Sequence, residues 1–546
     1  MVSFPTNIHT VYPTKIEESE SHFYRRCPQN PVTRAVAIVS LTLQYIYFIP
    51  QRAIRTYLSG QRDILHASKV GNQITRQLPR DSGSLPSSFN LNPVTREYIS
   101  CPSCHCLYPF SPLDNPENDD TTSHCVHRRT PESSACNFSL WKQVKLRGQV
   151  KYAPCRKYLH QDLKSWIGRM LSRKGMEDII NQLPQQAQLH ENGAVKDIWS
   201  SKALLELKDE SGAPFLPAPP GEGRLVFGLS VDSFNPFYNK TAKQSVSSTG
   251  IWLVLLNLPE DLRYLHENVC VLGVIPGPDK PSQDEINHYL SLVVDDILEF
   301  WNTGVFFSRT YNHLCGIIYK GMLVPLICDM LAARQVIGIA SAPTSHYFCT
   351  YCDLDIDDIA ILERSEWPAK NVAHIRHYAE LWKEASNEKQ RSLLFEASGL
   401  RYSPLLRLPY WNPVLYTIID SMHTLDLNLF QNHCRKLFQI DLKHLGGDAS
   451  RIRVTSLAES STKQITSRDR KDLQASLSKC QEVVRLNLPG LLQDLLAFHR
   501  KVLYTICVEQ DIKKEGHTLV VGTRWVLANN IYEWVREIVS LYGFWI

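Results

Sequence analysis

RLVFGLSVDSF at 224–234 and GMLVPLICD at 321–329 are the two stretches on which the fold turns. Each is an apolar run of strand length, and each carries one aspartate at or near its end, Asp232 and Asp329. Runs this apolar on both faces mark strands buried within a sheet. Between them lie IWLVLLNL (251–258) and NVCVLGVI (268–275), two further strands, the latter stopped by Pro276-Gly277-Pro278. Residues 284–301 then place Ile286, Tyr289, Leu290, Val293, Ile297 and Phe300 near helical spacing. Ser282 suits the helix N-cap, with Asp284 and Glu285 in or near the first turn. A short helix at 330–338 follows the second aspartate. The order strand, strand, strand, helix, strand predicts a mixed α/β sheet in which the first three strands meander and the fourth lies beside the first. That arrangement would bring two carboxylates to one end of neighbouring strands about 4.8 Å apart. Two or three converging carboxylates suffice to hold Mg²⁺ for phosphoryl transfer. The same two residues also fit a turn opener before Asn235-Pro236 and a cap for the following helix.

Outward from this core, the 546 residues suggest about three domains. A hydrophobic content of 43%, with 10% aromatic and 21% charged residues, excludes wholesale disorder. The net charge of +4 says little about partners. The opening MVSFPTNIHTVYPTKIEESE lacks the basic-then-apolar pattern of a secretory signal. The apolar run AVAIVSLTLQYIYFIP (35–50) is shorter than the roughly 20 residues that span a bilayer, and it carries Ser40, Thr42 and Gln44. It reads as a buried helix, and no membrane association is expected. A reducing compartment follows, so the fifteen cysteines are read first as metal ligands.

The chain divides by composition into a helical and linker region (1–95), a cysteine-rich segment (96–140), a basic helical region (141–210), the α/β core (224–435) and a helical C-terminal part (436–546). Residues 80–95 read as a linker and 211–223 as a Pro/Gly-rich break. An acidic loop is expected at 114–120, and 440–475 reads as polar loop. Cys101, Cys104, Cys125 and Cys136 form a candidate structural zinc module, with Cys106, His105, His124 and His127 crowding the same segment. Cys349 and Cys352 make a C-x₂-C pair, a second zinc candidate that needs partners such as His346, His374, His377 or His423. Ten cations stand against one acid, Asp162, over 142–174: Lys142, Lys145, Arg147, Lys151, Arg156, Lys157, Lys164, Arg169, Arg173 and Lys174. Such a stretch suits phosphate contacts, or simply a solvated helix face. Asp420 and His423 in IIDSMHTLDLNLF share a helix face and could be ligands, an acid/base pair, or a cap and a core histidine.

VDSFNPF (231–237), NLPEDLRYLHENVCVLGVIPGPDKPS (257–282), LICDMLAARQVIGIASAPTSHYFCTYC (326–352) and IDSMHTLDLN (419–428), in this order, resemble the CACTA (En/Spm) class of DNA transposases in its fungal form. CPSCHCLYPF and SHCVHRR resemble that family's N-terminal cysteine region. The resemblance spans roughly 96–435. It implies a ribonuclease-H-like fold, cut-and-paste transposition with Mg²⁺ or Mn²⁺, DNA (transposon ends) as partner, self-association and a nuclear location. The family's first two catalytic acids fall on Asp232 and Asp329, and its C-x₂-C on Cys349 and Cys352. In related recombinases a close histidine pair and a glutamate follow. Here HIRH (His374, His377) comes earlier than that pattern, and no later pair precedes a matching glutamate, Glu533 and Glu537 being the late acids. The expectation is therefore a core that lacks its third acid. Such a protein would bind DNA but cleave it poorly. The alternative is a catalytically dead DNA-binding or zinc-scaffold protein derived from a transposable element.

Overall fold

The structure, a computed structural model, describes residues 15–23, 28–69, 71–111, 123–146, 148–186, 197–236, 246–340, 347, 349–354, 360–438, 475–482, 484, 491–496, 498, 500–512 and 524–542. The acidic loop, Arg147, His346, most of the polar stretch 440–475 and the Glu537 side chain lie outside the described residues. The chain forms two compact units, one through Thr424 and one from Leu425 onward.

The first unit is mixed α/β. Its strands are β1 (Lys15–Glu17), β2 (Thr95–Ser100), β3 (Leu107–Pro109), β4 (Trp141–Leu146), β5 (Gln149–Pro154), β6 (Lys157–Gln161), β7 (Glu222–Phe234), β8 (Ser248–Leu255), β9 (Val269–Ile275), β10 (Val305–Phe307), β11 (Ile317–Cys328) and β12 (Thr417–Ile419). One sheet runs β1-β10-β11-β7-β8-β9-β6-β2-β3, and β12 also pairs with β11. The meander β7-β8-β9 is antiparallel, while β11 lies parallel to β7, as the apolar runs predict. β7 and β11 are buried almost throughout because they are interior strands covered on both faces. Pro325 cannot donate to a ladder, and the β7–β11 register shifts between Leu323 and Leu326, where it sits.

Helix Asn287–Asn302 packs on this sheet through Tyr289, Leu290, Val293, Ile297 and Phe300, the stripe seen in the sequence. The regular helix begins later than 284. Ser282 caps the turn before it: Glu285 N donates to Ser282 Oγ (3.4 Å) and Ser282 N donates to Glu285 Oε2 (2.7 Å), a reciprocal capping box. β2 and β3 of the cysteine-rich segment reach the core sheet through β6, which meets β9 at His160 and Gly273. A Cβ on Gly273 would lie 2.3 Å from the Tyr158 hydroxyl, so the close approach requires glycine there.

The basic region is not helical from its start. Residues 141–161 are strands: β4 and β5 form a hairpin, and β6 adds to the main sheet. Valines and tyrosines alternate with lysines here, a period of two, and Gly148 at φ +82° makes the turn. Helices Leu163–Leu171 and Met176–Gln186 follow. Near the N-terminus, helices Pro31–Tyr45 and Gln51–Ala67 bury Val36, Leu41, Ile54 and Leu58 together, and Leu85 from the linker stretch joins them. Among the described residues no helix is long and apolar enough to cross a membrane. In the second unit, helices Leu491–Leu496, Arg500–Glu509 and Arg524–Tyr542 share a core of Leu495, Leu503, Ile506, Leu527 and Ile531.

Candidate functional site

Three parallel strands bring three aspartates to one level. Leu229 of β7 is in register with Leu326 of β11, which is in register with Thr417 of β12. Three residues on from each stand Asp232, Asp329 and Asp420. Equal steps along parallel neighbours place side chains on the same face. The spacing is kept beyond the paired residues, since Val231 N donates to Cys328 Sγ at 3.1 Å. The acids are felt together there: burial, and after it the charges of Asp329, Asp232 and Asp420, push the Cys328 thiol up to about 12.

Each aspartate has one oxygen fixed by the backbone. Asp232 Oδ1 accepts from Ser233 N (2.6 Å), Asp329 Oδ1 from Ala332 N (2.7 Å) and Asp420 Oδ1 from Met422 N (2.9 Å). Asp329 is thus the N-cap of helix Met330–Ile337. The cap and a metal role are compatible, because the cap orients the carboxyl group while occupying one oxygen. Asp420 Oδ2 accepts from His423 Nδ1 at 2.6 Å. That bond, with the charges of Asp420, Asp329 and Asp232, raises the His423 pKa above its ordinary 6.5.

The cysteine-rich segment forms a second constellation. The Sγ atoms of Cys101, Cys104, Cys125 and Cys136 all lie within 4.8 Å of one another. Cys101 and Cys136 are 3.8 Å apart, and Cys104 and Cys125 are 3.4 Å apart. Zinc–sulfur bonds of about 2.3 Å at tetrahedral angles would separate sulfurs by roughly 3.8 Å. Every described cysteine is a free thiol. Hydrogen bonding from Cys104 draws Cys101 down to about 5, and the same contact with burial drives Cys104 far up. Crowded thiols ionise together only beside a cation. Tyr108 donates its hydroxyl to Cys125 Sγ (3.2 Å), an orienting contact of the kind that surrounds metal sites. The four cysteines singled out in the sequence are therefore brought together. Cys349 is half-buried and Cys352 buried, and among the described residues no third Cys, His, Asp or Glu ligand joins them. His374 and His377 instead pack on the Tyr378 ring.

Half of the basic stretch is occupied with structure. Arg156 is buried against His105, and Lys157 pairs with Glu97 (2.5 Å). Lys164 pairs with Glu299 (2.6 Å). Arg169 donates to the carbonyls of Leu91 and Asn92, and Arg173 to Asn268 and the Glu267 carbonyl. Lys142, Lys145, Lys151 and Lys174 remain exposed. Lys142 and Lys151 lie on one face of the β4–β5 hairpin, since Lys151 opposes Val144.

Two groups, one buried and one half-buried, escaped sequence reasoning. Asp296 accepts from His160 Nε2 (2.8 Å) and pairs with Arg96, tying the core helix to β6 and β2. The only signal was an acid on an otherwise apolar helix face. His288, one residue from the predicted stripe, faces His127 with ring centroids 4.8 Å apart. Burial and the nearby His127 charge lower its pKa to about 4, which keeps the imidazole neutral.

No curated protein matches this chain. Residues 220–392, from the start of β7 through Asp232, Asp329 and the C-x₂-C pair, match a family model described as Transposase family tnp2, so this segment is similar to the transposases of that family.

Proposed function

We propose that the chain is a transposase of the CACTA (En/Spm) type that cleaves and transfers DNA strands from a ribonuclease-H-like core and acts in the nucleus. The observation that carries this reading is the shared register of β7, β11 and β12, from which Asp232, Asp329 and Asp420 each stand three residues beyond paired positions. The order β9-β8-β7-β11, with the fourth strand parallel to the first, supports the ribonuclease-H-like assignment. The match of 220–392 to a transposase family supports DNA as the substrate.

The residues present suit Mg²⁺ or Mn²⁺. The donors are hard carboxylate oxygens, and the Oδ2 atoms of Asp232 and Asp329 stand opposite the oxygens engaged by the backbone. When bound, the metal would act as a Lewis acid on the attacking water or 3′-hydroxyl and on the leaving oxygen. Asp232 and Asp329 would hold the cation, their carboxyl planes set by Ser233 N and Ala332 N. Asp420 supplies the third carboxylate in place of the family's glutamate. His423 keeps a proton at Nδ1 on Asp420 and offsets part of the negative charge of the cluster. Zinc at Cys101, Cys104, Cys125 and Cys136 is structural in this reading, and Lys142, Lys145, Lys151 and Lys174 are the exposed phosphate contacts.

The test is a cleavage assay with Mg²⁺ or Mn²⁺ on DNA carrying the element's ends. The sequence alone predicts poor cleavage for want of a third acid; with Asp420 in that role, cutting is expected in the parent chain and lost in Asp232→Ala, Asp329→Ala and Asp420→Ala. Salt-dependent binding without cutting, under both metals, would favour the dead DNA-binding scaffold instead.

A further inference from the structure

A second metal site lies between the cysteine-rich segment and the core helix. Cys106 Sγ and one ring nitrogen each of His127 and His288 lie within 4.8 Å of one another. Cys106 precedes β3, His127 follows the Cys125 ligand, and His288 belongs to helix Asn287–Asn302. The three come from sequence positions that nothing but the fold brings together. All three are half-buried, as suits ligands reached by solvent from one side.

We propose that Cys106, His127 and His288 bind a zinc ion separate from the four-cysteine site. One soft thiolate and two imidazoles form a donor set that zinc accepts readily. With bonds of about 2.0–2.3 Å, the donors would close to roughly 3.5 Å apart, a small adjustment for side chains on formed elements. Three protein ligands leave a fourth position. His127 and His288 line a cavity of about 130 Å³, shared with Arg129, Glu285 and Trp382, so a water has room to fill it.

The surroundings hold the two halves in place. Arg129 pairs with Asp284 (2.8 Å) at the start of the same helical segment, and the Glu132 amide donates to the Ser386 carbonyl (3.0 Å). His105 and Ser100 both share hydrogen bonds with the Tyr289 hydroxyl, at 3.0 and 2.6 Å. A zinc ion here fastens the cysteine-rich segment to the helix that backs β11. The four-cysteine site cannot do this, since all of its ligands lie within that segment.

The site is tested by metal analysis of the full chain purified with zinc. Zinc per chain is measured in the parent, His288→Asn, Cys106→Ser, Cys101→Ser and Cys349→Ser. The expected result is a loss of one equivalent in His288→Asn and in Cys106→Ser, with the Cys101-dependent zinc retained in both. Cobalt replacement should give a second spectrum, weaker in sulfur charge-transfer than that of a four-thiolate site, and it should vanish in His288→Asn. Zinc content unchanged by both variants overturns the proposal, as does a second equivalent that depends on Cys349 alone. Loss of zinc only in Cys101→Ser leaves the four-cysteine site standing and removes this one. Should His288→Asn fail to fold, Cys106→Ser and the cobalt spectrum of the parent carry the same decision.

Discussion

Replacing Asp329 by asparagine and by alanine separates its two tasks. Its Oδ1 caps helix Met330–Ile337 through Ala332 N at 2.7 Å. Asparagine keeps an acceptor oxygen at that place and is about as good an N-cap, so Asp329→Asn should cost no more than a few tenths of a kcal/mol. Alanine removes the acceptor, at a cost of about 1 kcal/mol. In a unit this large that is at most roughly 2–4 °C in Tm. Magnesium adds the second axis. If Asp329 helps hold Mg²⁺, the parent protein at 100 times Kd gains about 2.7 kcal/mol from binding. Neither variant should follow, because both lack the carboxylate charge. The assay is thermal unfolding, with and without Mg²⁺, in buffer free of chelators so that zinc stays bound. The expected pattern is asparagine like the parent without Mg²⁺ and like alanine with it. If Mg²⁺ raised the Tm of Asp329→Asn as much as that of the parent, Asp329 would hold no cation. If both variants lost the same stability without Mg²⁺, the cap would not be what the aspartate contributes to the fold.

Asp296→Ala should destabilise the first unit by about 1–3 kcal/mol in urea unfolding, because it leaves the fully buried His160 Nε2 without its hydrogen-bond partner; no measurable loss would refute that account. His423 should titrate above 6.5 by NMR and fall back toward 6.5 in Asp420→Asn, since the Asp420 hydrogen bond is the main cause of its rise. Because the folded imidazole holds its proton more tightly than the unfolded one, the His423 contribution is full just below about 6.5, while Asp420 stays ionised, and is lost as pH climbs through the raised value; a titration at or below 6.5 in the parent contradicts the pairing. Lys142→Ala with Lys151→Ala should lower the salt slope of DNA binding by about two, and Lys164→Ala should leave it unchanged because Glu299 already holds that ammonium. Gly273→Ala should cost about 1–3 kcal/mol through overpacking on Tyr158, and Tyr158→Phe in the same chain should recover part of it; no measurable cost would show that the β6–β9 junction yields freely.

What the sequence made legible is what short-range pattern encodes. The apolar runs at 224–234 and 321–329 gave the strands, and the stripe from Ile286 to Phe300 gave the helix, because burial on one or both faces leaves a period in the chain. The fields of charge misled. At 141–161 the many lysines drew the reading toward a helix, although Val144, Val150, Tyr152 and Tyr158 alternate with polar neighbours as strands do. Asp420 was visible as a candidate, but its place was not. β12 is three residues long, too short for any period, and its partner β11 ends at Cys328, far back in the chain. His288 had no signal at all, since its partners Cys106 and His127 are distant in sequence and only docking of the cysteine-rich segment brings them near.

Helix Asn287–Asn302 is the element on which both constellations depend. Its apolar face packs against β11, the strand that ends one residue before Asp329. Its polar positions His288, Tyr289 and Asp296 meet the cysteine-rich segment and the strands that follow it. A helix between two partners is held by both, so movement of the cysteine-rich segment bears on the strand that carries a catalytic candidate. The contacts differ in kind along its length. Near its start they are hydrogen bonds and the cysteine–histidine cluster, which give direction. Two turns on, the contact is the buried Asp296 charge, which penalises any separation from His160 and Arg96. Apolar packing alone would let the helix slide by small amounts at little cost, whereas directional bonds at one end and a buried ion group further along fix its register. The strand that leads to Asp329 is therefore backed by a helix whose register is fixed by groups that never touch the acids.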